Sequence, residues 1–156
     1  MQPRNKMTNE ATRKRDRDRK NRERDDARAI EIPDVVDPSR RSAALANLWQ
    51  FGQTYFASKF YIEAADVHRD LATTLEKIIT EAGGNEADAL PRGSAKTTWM
   101  EIAVLWAILS GRRKFAVLVA GTGELAASML DRIKAEVEAN DLLLEDFPEV
   151  CYPVRE

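Results

Sequence analysis

Apolar residues recur along the chain in two rhythms, one of three- and four-residue steps and one continuous. Over residues 39–61, Leu45, Leu48, Trp49, Gly52, Tyr55, Phe56 and Lys59 fall near one face at helical spacing, which predicts a helix capped by Ser39. A second helix is predicted from about Ala64, carrying Val67, Leu71, Leu75, Ile78 and Ala82, with Gly83-Gly84 as its stop. Residues 98–110 (TWMEIAVLWAILS) are apolar nearly all round, as in a helix buried on several sides, and Gly111 ends them. The run FAVLVA at 115–120 is short, unbroken and rich in β-branched residues, which predicts a strand covered on both faces. From Glu124 to Ala139, Leu125, Met129, Ile133 and Val137 recur every four residues and Asn140 closes the helix. The order loop, helix, strand, helix predicts an α/β fold, the start of a parallel sheet flanked by helices, with further helices before it.

Composition narrows the function classes. The chain of 156 residues is of single-domain size, and its one Cys and one His exclude a disulfide framework and a Cys/His zinc cluster. No apolar run reaches the roughly 18–20 residues needed to span a bilayer, and no apolar signal core follows the N-terminal charges. The expectation is a soluble, cytoplasmic protein that does not contact membrane. A net charge of −2 conceals an asymmetry: residues 1–28 hold eleven Lys and Arg against six Asp and Glu, a net +5, leaving −7 for the rest.

That leading stretch has almost no large apolar residue to offset the entropy of ordering, so residues 1–38 are expected to be a charged, disordered tail and linker. Its acids and bases can neutralise one another at helical spacing, as with Asp16 and Lys20 or Asp18 and Arg22. The alternative is a basic arm that contacts phosphate backbones.

The candidate chemistry lies at Arg92, Gly93, Ser94, Ala95, Lys96, Thr97 and Thr98. A nucleotide phosphate is held where N–H groups of a tight loop converge at a helix N-terminus, a Lys reaches the β- and γ-phosphates and the next hydroxyl ligates Mg²⁺. Gly93 supplies backbone freedom, the N–H groups of Ser94, Ala95 and Lys96 form the nest, Lys96 is the point charge and Thr97 the magnesium ligand. The strict pattern G-x-x-x-x-G-K-[ST] is missed at Leu90 and at Ala95, an exchange for glycine that the backbone accepts at negative φ. The competing reading is a polar turn capped by Ser94 or Thr97 before a buried helix.

The run Pro91-Arg92-Gly93-Ser94-Ala95-Lys96-Thr97-Thr98 resembles the Walker A loop of the large terminase subunits of tailed bacteriophages. The likeness continues through Trp106-Ala107-Ile108-Leu109-Ser110-Gly111-Arg112-Arg113, the run from Phe115 to Glu124, and Asn140-Asp141 with Asp146-Phe147-Pro148-Glu149-Val150, covering about residues 64–156. It implies an N-terminal piece of a P-loop NTPase that binds ATP and Mg²⁺ in a viral DNA-packaging motor. Residues 39–84 would then be a helical N-terminal region and 85–156 a partial ATPase domain. Double-stranded DNA, a small terminase subunit, a portal and further copies of the chain are the implied partners, and the host cytoplasm the implied location. Arg92 matches the family's loop arginine, which contacts phosphate or senses a neighbouring subunit. The chain reaches Glu156 before any apolar strand ending in Asp-Glu, so the Walker B carboxylates and the nuclease residues of the family have no counterpart, and the expectation is a fragment that binds more readily than it hydrolyses. The competing function is a non-enzymatic nucleic-acid or protein-binding module whose working part is the basic N-terminal arm; a third is another nucleotide-binding ATPase of the helicase or clamp-loading kind.

Elsewhere, His68 among charged neighbours reads as a surface histidine, and Cys151 has no nearby His or Lys in sequence to activate it. Trp49, Trp99 and Trp106 read as core or interface anchors, and Arg112-Arg113-Lys114 as a cationic helix C-terminus.

Overall fold

The computed structural model describes residues 13–20, 31–60, 65–81 and 84–155. Every regular element among them is helical, and none is a strand, which overturns the expected α/β fold with its parallel sheet. Residues 13–20 form a helix (α1) exposed along its length, in which Arg19 pairs with Asp16 at 3.7 Å. Residues 1–12 and 21–30, Arg22 among them, lie outside the described residues. Residues 1–31 and 32–156 are separate units, and the second holds all the helices after α1.

The helix expected over residues 39–61 is two. The first, α2 (Pro38–Ala46), starts one residue early because Asp37, rather than Ser39, is its cap: the Asp37 carboxylate accepts from the Arg40 N–H at 2.9 Å and from the Ser39 hydroxyl at 2.8 Å, with Pro38 preset for the first helical position. Those two bonds hold the Asp37 carboxyl below the usual carboxylate range. Asn47 then turns extended (φ −149°, ψ 156°) and its side chain accepts from the Gln50 N–H at 2.7 Å, capping α3 (Leu48–Tyr55). A 3₁₀ turn follows at Ala57–Lys59. Next, α4 (Asp66–Thr80) is capped by His68, whose Nδ1 accepts from the Ala65 N–H at 3.1 Å. Its inward row runs Leu71, Ala72, Leu75 and Ile79; Ala82 and Gly83 fall outside the described residues.

The longest apolar element, α5 (Lys96–Leu109), buries Trp99, Glu101, Ile102, Ala103, Leu105, Trp106 and Ala107. Thr122 caps α6 (Gly123–Ala139) by accepting from the Leu125 N–H at 3.3 Å. Of its four-residue row, Ile133 is buried and Val137 packs on the core, whereas Leu125 is exposed. Asn140 ends α6 and caps α7 (Asp141–Asp146), and α8 (Pro148–Arg155) follows.

The core is aromatic and lies where α3 meets α5 and the α7–α8 corner. Phe51, Tyr55, Phe56 and Phe147 contact one another edge-on or tilted at centroid distances of 5.0–6.4 Å, and Trp99 is sandwiched between Trp49 at 5.2 Å and Phe60 at 5.0 Å. Because α3 and α4 both pack on α5, residues on either side of position 84 share one core. Between α5 and α6, buried Glu101 is paired with Arg132 at 2.7 Å.

The strand predicted at 115–120 is not formed. Those residues belong to no regular element: Phe115, Val117 and Val119 stand 76%, 73% and 85% exposed, and only Leu118 reaches the core. A strand needs a neighbouring segment to take its hydrogen bonds. None among the described residues lies beside it.

Candidate phosphate-binding site

The site begins at Leu90, whose side chain packs on the core and anchors the segment leading to α5. Pro91 follows, and its carbonyl accepts from both the Ser94 N–H at 3.4 Å and the Ser94 Oγ at 2.8 Å, closing a turn over Arg92 and Gly93. Gly93 sits at φ +84°, a left-handed conformation that glycine adopts without cost. Ala95 is left-handed too, at φ +53° and ψ 15°. The expectation that an alanine here requires negative φ is therefore wrong: the residue that stands in place of the motif's glycine takes a glycine's conformation. It is the one non-glycine residue at positive φ among the described residues, and strain of this kind concentrates at ligand-binding loops.

Gly93 and Ala95 are left-handed and Lys96 opens the right-handed helix, and a left-handed residue next to a right-handed one is the backbone sequence of anion-binding nests. The free N–H groups differ from the expected set, which loses Ser94 and gains Thr97 and Thr98. The Ser94 N–H is used by Pro91, whereas those of Ala95, Lys96, Thr97 and Thr98 have no acceptor among the described residues, the first intrahelical bond being Trp99 N–H to Ala95 O at 3.0 Å. No side chain caps α5. Four donors thus stand without a partner among the described residues at the positive end of a 14-residue helix.

The Lys96 ammonium folds back over the loop and donates to the Leu90 carbonyl at 2.7 Å. That partner was not foreseen; the lone apolar residue before Pro91 was the available signal for an anchored carbonyl. Thr97 is exposed at the second helical position, Thr98 is half-buried, and Arg92 is exposed and meets no carboxylate among the described residues. No hydrogen bond or ion pair brings an acid to the loop, and no group of three or more metal-ligating side chains occurs among the described residues.

The remaining candidates are structural. Trp99 and Trp106 are fully buried, and Trp49 stacks on Trp99. Arg112 lies over the Trp106 ring at 4.3 Å, and Arg113 donates to the Glu81 carbonyl at 2.7 Å, tying the end of α5 to the end of α4. Cys151 is buried, and burial pushes its thiol up, away from nucleophilic duty. No described helix is long and apolar enough to cross a membrane. Compared with models of known families, with curated proteins and with solved structures, the chain gives no match.

Proposed function

We propose that the loop from Arg92 to Thr98 binds the phosphates of ATP or ADP with Mg²⁺, and that the chain is the nucleotide-binding portion of a viral DNA-packaging motor akin to the terminase large subunits it resembles. The observation that carries this is the left-handed Ala95 at the head of α5, with four unpaired N–H groups and Lys96 around it. A polar turn before a helix has no need of a strained alanine, and a side-chain cap would satisfy such a helix more cheaply. In this reading the N–H groups of Ala95, Lys96, Thr97 and Thr98 cradle the phosphate oxygens. Lys96 exchanges the Leu90 carbonyl for the β- and γ-phosphates, and the Thr97 hydroxyl ligates Mg²⁺. Arg92, exposed beside the cradle, adds a phosphate contact or meets a neighbouring subunit. The proposal is one of binding: no hydrogen bond or ion pair joins a described carboxylate to the loop. A packaging role would place the chain in the host cytoplasm, on double-stranded DNA, with a small terminase subunit, a portal and further copies of itself.

Calorimetric titration of the chain with MgATP and MgADP tests the reading. The wild type should bind both, and Lys96→Ala should weaken binding about ten- to a hundredfold, the usual worth of one charge-assisted contact. Equal binding by the two proteins, or binding by neither, returns the loop to a simple turn.

One observation favours the second reading, a nucleic-acid-binding module. Helix α1 displays Arg13, Lys14, Arg15, Arg17, Arg19 and Lys20 against Asp16 and Asp18, all exposed. Deleting residues 1–31 should then abolish salt-dependent binding of a labelled DNA duplex, whereas the nucleotide reading predicts that MgADP binding survives the deletion.

A further inference from the structure

Residues 114–121 (KFAVLVAG) make no backbone hydrogen bond among the described residues and belong to no helix, although they carry the side chains most typical of strands. Leu118 packs on the core, whereas Phe115, Val117 and Val119 are each more than two-thirds exposed, an alternation that a strand would place on two faces. A row of unused N–H and C=O groups beside exposed β-branched side chains is a template for another strand. Leu125, also exposed, lies just beyond in the first turn of α6.

We propose that residues 115–120 are the pairing strand of a two-fold dimer, joined antiparallel to the same segment of a second copy. Self-pairing suits this sequence. A two-fold axis normal to the sheet turns the Leu118 faces of both copies to the same side of the strand pair and sets odd-numbered residues opposite odd-numbered ones. With Leu118 opposite its counterpart, Val117 of each copy meets Val119 of the other, Ala116 meets Ala120, and Phe115 lies across from Gly121, so that every facing pair is apolar or glycine. The flanks are complementary in charge. In this register the cationic turn Arg112-Arg113-Lys114 of one copy runs toward Thr122, Gly123 and Glu124 of the other, and the symmetry repeats the Arg112–Glu124 approach at both ends. Neither residue is engaged in an ion pair among the described residues: Arg112 is held on the Trp106 ring and Glu124 is exposed in the first turn of α6. The dimer does not depend on the phosphate reading, because its residues lie at the other end of α5 from the loop.

Sedimentation velocity of the full chain over a range of concentrations is the test. Wild type should show a discrete monomer–dimer equilibrium, and Val117→Lys should shift it to monomer with the helical circular dichroism unchanged, since the exposed Val117 side chain is outside the core of the single chain. The register is checked by cysteine exchange. Val117→Cys mixed with Val119→Cys should cross-link faster than either alone, because these positions face each other whereas each is about 7–8 Å from its own counterpart on the diagonal; Cys151, fully buried, stays out of the reaction. A monomer at every concentration, a dimer indifferent to Val117→Lys, open-ended aggregation without a discrete dimer, or cross-linking no faster in the mixture would each overturn the proposal.

Discussion

Arg40 and Asp146, 106 residues apart, meet in a two-point salt bridge, with Nε to Oδ2 at 2.7 Å and Nη2 to Oδ1 at 2.8 Å. The Asp146 carboxylate is fully buried and also accepts from the Tyr55 hydroxyl at 2.7 Å, while Arg40 takes Glu145 at 2.6 Å. One carboxylate thus joins α2, α3 and α7, and the Val36 N–H bonded to the Glu145 carbonyl at 2.9 Å holds the entering chain against the same corner.

Removing that carboxylate leaves the buried Tyr55 phenol without its acceptor and the Arg40 guanidinium with Glu145 alone. Asp146→Ala should cost about 3–5 kcal/mol, the usual penalty for breaking one side of a buried pair. Urea unfolding followed by tryptophan fluorescence measures it, and a loss under about 1 kcal/mol would show that water replaces the carboxylate.

The same corner sets an alkaline limit. Burial, then the bond to Asp146, raises the Tyr55 phenol above its ordinary value. The Arg40 guanidinium is also raised, by its bonds to Asp146 and then Glu145. A raised group contributes stability that is whole below its unfolded value, about 10 for tyrosine, and lost as pH climbs beyond it. Stability should therefore fall between about pH 10 and 12, and Tyr55→Phe should flatten that decline; equal slopes for the two proteins in urea titrations at pH 8, 10 and 11.5 would refute the assignment.

Gly52 lies against the Trp99 indole so closely that a Cβ there would sit 2.8 Å from two ring carbons. The ring is fixed between Trp49 and Phe60 and has no room to withdraw. Gly52→Ala should destabilise by about 1–3 kcal/mol despite alanine's better helix propensity, and thermal unfolding would reveal a rise instead if the helices part freely.

Ala95 gives the opposite sign. Its left-handed backbone costs an L-residue about 1 kcal/mol that glycine does not incur, and the gain is partly offset by glycine's freer unfolded chain. Ala95→Gly should raise the thermal midpoint by up to about 2–4 °C. A lowered midpoint would mean that φ at this position is negative in solution.

If Thr97 ligates magnesium, Thr97→Ala should abolish the part of ADP affinity that depends on Mg²⁺ while leaving metal-free ADP binding intact. Titrations with and without EDTA separate the two, and an equal loss in both would assign Thr97 to the phosphate cradle alone.

The central helices α4, α5 and α6 were legible in the sequence because their hydrogen bonds and stops are local. The four-residue row of α6 and the apolar girth of α5 appear within a residue or two of where periodicity puts them. The order of residues around Gly93 and Lys96 likewise marked the loop, since a turn closed by Pro91 and Ser94 needs nothing from afar. Periodicity could not place the break at Asn47, where one extended residue and its own side-chain cap divide a continuous apolar face and bring Phe51 into the core. Nor could it see that Arg40 and Asp146 would meet across 106 residues, or that Ala95 would be left-handed. The predicted sheet failed for a related reason: the run at 115–120 carries the side chains of a strand, but a strand is completed by hydrogen bonds from another segment, and among the described residues tertiary structure supplies none. The sequence by itself determined the spans of α4, α5 and α6 and the turn that precedes α5. Tertiary packing decided which of their faces were buried, because burial depends on what arrives from elsewhere in the chain.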